Sequence, residues 1–158
     1  MDKIKKNIFF ISLFFSIFLL DRISKILIIN QVENIGNNKI YDSKFLNLEL
    51  VWNKGVAFGL FSFSSSNFYN LMTFIILIVI LIIIYFFIRT NKIEKLLFLI
   101  IFSAATGNLY DRIVYNSVPD FIDIHVNNFH WFVFNVSDIF ITIGVIGLIL
   151  NDILLNKK

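Results

Sequence analysis

Residues 119–138, PDFIDIHVNNFHWFVFNVSD, lie between two long apolar runs and carry three aspartates but no lysine or arginine. Carboxylates left without a countercharge have a chemistry of their own. Were Asp120 and Asp138 to approach to about 4 Å, their repulsion at an effective dielectric of about 20 would be near 4 kcal/mol, equivalent to roughly three pKa units. Both could not then be ionised at neutral pH. One proton would be shared, and the pair could act as base toward water and as acid toward a leaving amine. A helix N-terminus at Asp138 favours its anion, which leaves the proton to Asp120.

The same residues have plainer readings. Asn135-Val136-Ser137-Asp138 has the form of a capping box, with Asn135 as N-cap and the acid three residues on, and capping alone explains Asp138. A turn after Pro119 would make Asp120 and Asp123 solvated residues. His125 and His130, taken with Asp120 and Asp123, have the residue types of a metal site but irregular spacing, and neither metal nor cofactor is expected. Asp21 and Lys25 are an i,i+4 acid-to-base pair able to neutralise each other, a structural polar pair. Asn108 and Arg112 share a helix face, and with Asp111 they read as an interhelical brace before they read as chemistry. Asp21, Lys25, Asn108, Arg112 and Asp138 fall at one depth of the apolar segments. A charge inside a bilayer costs about 2.5–3.5 kcal/mol on insertion scales, so such a level marks a functional site.

The elements that must position them belong to a membrane protein. The chain is 58% hydrophobic with one proline in 158 residues, and its mean hydropathy is +0.80, which excludes an ordinary soluble domain. The formal charge of +3 is not gathered into a basic face, which excludes a nucleic-acid binder, and the lack of cysteine excludes disulfides and thiolate chemistry. Segments 8–29, 68–88, 96–115 and 136–155 each have the length of about 20 residues that a hydrocarbon core of about 30 Å demands. The first is not a secretory signal, since no small-x-small cleavage site follows its apolar run. That run alone reaches only about 20 Å, so the span must continue through Asp21 and Lys25. Lysine and arginine concentrate at Lys3, Lys5 and Lys6, at Arg89, Lys92 and Lys95, and at Lys157 and Lys158, which places both termini in the cytoplasm. Connections 30–67 and 116–135 then face outward. Within the first, residues 46–52 alternate apolar with polar and read as a strand lying on the interface, and residues 62–67 form a polar turn able to cap the second span. The expectation is one polytopic domain of four transmembrane helices, with a small extracytoplasmic β-sheet between helices one and two.

Four blocks in order carry a likeness to a known family: Asp21-Arg22-Ile23-Ser24-Lys25; Asn53-Lys54-Gly55-Val56-Ala57-Phe58-Gly59; Gly107-Asn108-Leu109-Tyr110-Asp111-Arg112 continuing to Val118-Pro119-Asp120-Phe121; and Phe134-Asn135-Val136-Ser137-Asp138. Over essentially its full length the chain resembles bacterial lipoprotein signal peptidase, the type II signal peptidase. The resemblance implies an inner-membrane aspartic endopeptidase that cleaves prolipoproteins before a diacylglyceryl-modified cysteine. It implies Asp120 and Asp138 as the catalytic pair, and Asn53, Gly55, Asn108, Arg112 and Asn135 as residues that contact substrate or support the aspartates. Lipidated prolipoproteins and the bilayer would be the partners of a monomeric enzyme. Two features depart from the family: Ser103 and Ala104 stand where glycines are usual, and Ser137 replaces an alanine, which supplies a hydroxyl able to bond either carboxylate. The rival readings are a small transporter or ion relay through Asp21, Lys25, Asp111, Arg112 and Asp138, and a non-catalytic assembly subunit. The apolar inner halves of spans one and three argue against a through-path.

Overall fold

The structure, a computed structural model, describes residues 3–55, 66–90 and 92–155. Four helices, α1 (Lys3–Ile35), α2 (Ser66–Arg89), α3 (Lys92–Tyr115) and α4 (Val136–Leu155), are combined with four short strands, β1 (Lys39–Tyr41), β2 (Leu46–Asn53), β3 (Val118–Val126) and β4 (Phe129–Phe134). Among the described residues, three stretches are long and apolar enough to cross a membrane: Tyr69–Arg89, Ile93–Tyr115 and Val136–Leu154. Burial is inverted relative to a water-soluble domain. Large aliphatics along α2 such as Leu77, Ile78, Leu81 and Ile82 are exposed, while Asp21, Lys25, Asp111 and Asn135 are completely buried. That pattern suits a protein whose outer solvent is hydrocarbon and whose polar groups must find partners inside.

Helix α3 is the hub, packing against α1, α2 and α4. Its N-terminal half supplies apolar contacts: Phe102 meets Phe14 of α1 at a ring separation of 5.2 Å, and Phe98 stacks on Phe86 of α2 at 5.4 Å. On the α4 side the fit depends on small residues. A Cβ on Gly144 would lie 2.4 Å from Ile101, and one on Gly147 would lie 2.5 Å from Leu97. Ser103 and Ala104 are both fully buried in α3, with the Ser103 hydroxyl donating to the Leu99 carbonyl, so neither departure from glycine opens the packing.

Helix α1 is longer than segment 8–29 at both ends. Nothing in residues 30–35 breaks a helix, and it stops only at Gly36, which takes φ +70° while its N–H donates to the Val32 carbonyl. Helix α3 ends the same way, at Asn116 with φ 52°.

The sheet corrects the expected layout. It is a single antiparallel sheet in the order β1-β2-β3-β4, so half of it comes from the connection between α3 and α4 and not from the segment between the first two helices. Residues 46–52 do form a strand, but a register shift between Leu48 and Val51 breaks the alternation. Asn47 and Leu50 are buried while Val51 and Trp52 are exposed. Residues 56–59 of the second quoted block, 62–65 of the expected capping turn, and the terminal Lys157 and Lys158 lie outside the described residues; Ser66 and Asn67 already belong to α2.

Candidate active site

Asp120 is the third residue of β3, and the β2–β3 register sets Val51 opposite it. Asp138 is the third residue of α4. Strand β4 returns the chain from one to the other, and Asn135, between β4 and α4, ties them together. Its side-chain oxygen accepts the Asp138 N–H at 3.2 Å, and its own backbone N–H donates to Asp138 Oδ2 at 3.1 Å, which is the capping box the sequence suggests. The remaining group, Asn135 Nδ2, donates to Asp120 Oδ1 at 2.6 Å. The cap does not take Asp138 away from the cavity; it is what aims the carboxylate there.

Two further asparagines work the same way. Asn53 accepts the Gly55 N–H on its Oδ1 at 2.8 Å, which turns its Nδ2 toward Asp120 Oδ2, also at 2.8 Å. Asn108 accepts the Lys25 ammonium on Oδ1 at 2.8 Å and presents Nδ2 to Asp138 Oδ1 at 2.9 Å. In all three, a donor occupies the amide oxygen, so the NH2 end must face a carboxylate. Each aspartate thus receives two hydrogen bonds from uncharged donors and, among the described residues, makes no ion pair. Asp120 is 3% exposed. Burial pushes its carboxyl up to about 7 and the Asp138 charge adds to the rise, against the opposing hydrogen bonds from Asn135 and Asn53 and the more weakly felt Lys25.

Behind Asn108 lies a cluster of the opposite kind. Lys25 Nζ donates to Asp21 at 2.9 Å and to Asp111 at 2.7 Å, while the Arg22 guanidinium spans both oxygens of Asp111 and reaches Asp21 Oδ2 at 2.9 Å. Two acids face two bases, and the group closes electrically. The expected Asp21–Lys25 pair is half of it, and Asp111 is the brace to α1. Arg22, standing inside the first quoted block, is a member that spacing did not single out. Asp21 Oδ1 also accepts the Ser137 N–H at 3.1 Å, fixing the start of α4. Close approach requires Gly107, where a Cβ would fall 2.6 Å from Asp21 Oδ2 and 2.8 Å from Ser137 Oγ. The Ser137 hydroxyl, able in principle to bond either carboxylate, bonds neither Asp120 nor Asp138; it is buried and has no hydrogen-bond partner among the described residues.

Arg112 stands apart from that cluster. One guanidinium nitrogen donates to the Gly55 carbonyl, the other terminal nitrogen is buried without a partner among the described residues, and the Tyr69 hydroxyl donates to the Arg112 carbonyl at 3.1 Å. Asn53, Asn108, Arg112, Asp120, Asn135 and Asp138 all line one cavity of about 1070 Å³, whose other walls are mainly aliphatic and aromatic residues of α2, α3, α4 and β4. Asp123 is not a solvated turn residue: it is buried in β3, accepts from Asn47 Nδ2 at 3.0 Å, and contacts His130.

A helical membrane framework with a deep, largely apolar cavity and a polar end bearing two unpaired acids defines a membrane enzyme, and known proteins agree. A bacterial membrane enzyme solved by the in meso method at 2.3 Å resolution superposes with a TM-score of 0.74 at 28% identity, covering 94% of this chain and 91% of its own. Residues 13–154 match the family model described as "Signal peptidase (SPase) II". The lipoprotein signal peptidase of Pelagibacter ubique is 48% identical over 100% of this chain and 96% of its own length; that of Thermodesulfovibrio yellowstonii is 37% identical over 84% and 86%. The chain belongs to the signal peptidase II family, a family of membrane proteases. Those relationships favour the peptidase reading over the ion relay, whose Asp21, Lys25 and Asp111 are consumed in the closed cluster.

Proposed function

We propose that this protein is an aspartic endopeptidase that removes signal peptides from diacylglyceryl-modified prolipoproteins before the lipidated cysteine, with Asp120 and Asp138 as its catalytic pair. The observation that carries the assignment is that Asn135 donates to both carboxyls, its side-chain amide to Asp120 and its backbone N–H to Asp138, with no cation paired to either among the described residues. Asp120 holds the shared proton and Asp138, under the α4 N-terminus, is the anion. The Asp138 carboxylate takes a proton from water as its oxygen bonds to the scissile carbonyl carbon, while Asp120 gives its proton to the carbonyl oxygen. The tetrahedral diol collapses as Asp138 returns a proton to the departing amine and Asp120 recovers one from the diol. Asn53 and Asn108 hold the acids in place, and the unpartnered nitrogen of Arg112 suits a substrate carbonyl, next to Gly55.

The apolar walls of the cavity suit acyl chains that reach the site sideways from lipid, since a diacylated peptide stays in the bilayer. Helix α1, at about 1.5 Å per residue, is long enough to be a fourth span, its charges neutralised within the bundle. Lys3, Lys5 and Lys6 at the start of α1 and Arg89, Lys92 and Lys95 around the α2–α3 junction favour a cytoplasmic location for those ends, with the sheet and the aspartates toward the outer face of the bacterial inner membrane. Both acids and all their donors come from one chain, so a monomer suffices.

The test is cleavage of a diacylglyceryl-modified prolipoprotein by the purified chain in detergent, beside Asp120→Asn and Asp138→Asn with folding checked. Cleavage before the lipidated cysteine that disappears in both variants is expected. Full activity in either folded variant would remove that residue from the mechanism.

A further inference from the structure

Beyond the aspartate pair, toward the far end of the β3–β4 hairpin, three ligand-type side chains converge. Asp123 and His125 are both buried on β3, on either side of the exposed Ile124, and His130 of β4 is the register partner of His125. The ligand-capable atoms of the three residues all lie within 4.8 Å of one another. His130 Nδ1 is 2.8 Å from Asp123 Oδ2, and His125 Nδ1 is 3.9 Å from the same oxygen. Those distances straddle the separation of about 3.3 Å that two donors must have when each sits 2.0–2.1 Å from a tetrahedral ion. The two imidazoles are stacked, with centroids 4.8 Å apart and planes inclined by 17°, so the rings must turn out of the stack for both nitrogens to meet one ion.

The cluster also contains two polar atoms that the described residues leave without a partner. Asp123 Oδ1 and His125 Nδ1 are buried and accept or donate no hydrogen bond, on side chains that belong to residues 5% and 8% exposed. Buried polar atoms are nearly always satisfied, and an unpartnered carboxylate oxygen near an unpartnered imidazole nitrogen offers two ligand atoms that no described side chain claims. Asn47 Nδ2 donates to Asp123 Oδ2 at 3.0 Å, the kind of supporting hydrogen bond that fixes a metal-binding carboxylate.

We propose that Asp123, His125 and His130 form a binding site for a divalent transition-metal ion of the zinc type, with a fourth position left to water. Two imidazoles and one carboxylate, with no thiolate, suit zinc, nickel or copper and not calcium or magnesium, which prefer all-oxygen sites. The ion would take the place of the hydrogen bond between His130 and Asp123. It would also clamp β3 to β4 three residues beyond Asp120, stiffening the strand that carries that acid. The site stands independently of the peptidase reading.

The test uses full-length, tag-free protein in detergent, stripped with a chelator, dialysed and titrated with Zn2+ against a chromophoric competitor. About one equivalent is expected to bind and to raise the thermal unfolding temperature. His130→Ala alters a side chain that is 54% exposed, so it preserves the fold; it is expected to weaken binding by at least about 100-fold and to abolish the thermal shift, with His125→Ala as the second variant. Less than about a tenth of an equivalent bound by the native chain, or unchanged affinity in His130→Ala, overturns the proposal.

Discussion

Asp21 and Asp111 share their surroundings with a guanidinium and an ammonium, whereas Asp120 and Asp138, one asparagine away, meet only amides. Asn108 is the boundary: its oxygen takes the Lys25 proton and its nitrogen faces Asp138. Four carboxylates in one connected network are thus sorted into two classes by what donates to them. Where acids and bases match two for two, the charges are spent on holding α1, α3 and α4 together. Where neutral donors replace cations, burial and the neighbouring Asp138 charge push the Asp120 carboxyl up to about 7, which suits a proton that can move. The asparagines make this possible by supplying hydrogen bonds without supplying charge.

Exchanging an acid for its amide in each region separates the two roles. Asp120→Asn and Asp138→Asn are expected to lower the cleavage rate by about 10³-fold or more while leaving the protein folded, measured as single-turnover processing of a lipidated precursor. Asp111→Asn leaves Arg22 and Lys25 with one acid between them inside the bundle. It is expected to destabilise the protein by about 3–5 kcal/mol, seen as a lower unfolding temperature and a loss of monodisperse protein. If Asp111→Asn were as stable as the native chain, the closed cluster would not be the brace described.

A milder change cuts the boundary itself. Asn108→Ala removes one hydrogen bond from Asp138 and one acceptor from Lys25, which keeps Asp21 and Asp111. Activity is expected to drop by about 10–100-fold, with kcat affected more than KM and a smaller loss of stability than in Asp111→Asn.

Much of this contrast is written in the residues, but unevenly. Hydrocarbon thickness dictates the length of an apolar helix, so α2, α3 and α4 follow the hydropathy closely. The α1 ends do not, because hydropathy ends at the bilayer while a helix ends only where a residue such as Gly36 stops it. The capping box at Asn135 and Asp138 and the aspartate pair follow from residue type and the family likeness. The β3–β4 half of the sheet was hidden because polar residues in the 119–138 stretch read as a turn. Its signal was nevertheless present in Asn127-Asn128, a two-residue turn between β-prone runs, with Asn127 at φ 52°. The Arg22–Asp111 contact and the convergence of Asp123, His125 and His130 join residues distant in sequence or facing across strands, and only the register and the helix packing bring them together.

The central claim is that Asp120 carries a proton near neutral pH that its neighbours do not neutralise, and pH is the most direct probe of it. A raised carboxyl pKa means that the folded state prefers the protonated form. The stability this contributes is present below about pH 4 and is lost as pH rises through about 7. Asp120→Asn, which cannot titrate there, should show no such loss. The decisive measurement is kcat/KM for the native enzyme across that range, in one detergent with a substrate that does not titrate. The account predicts a rate that falls about tenfold per pH unit above pH of about 7, as the singly protonated pair disappears. A rate that stays flat from about pH 6 to about pH 9 would contradict a shared proton on Asp120.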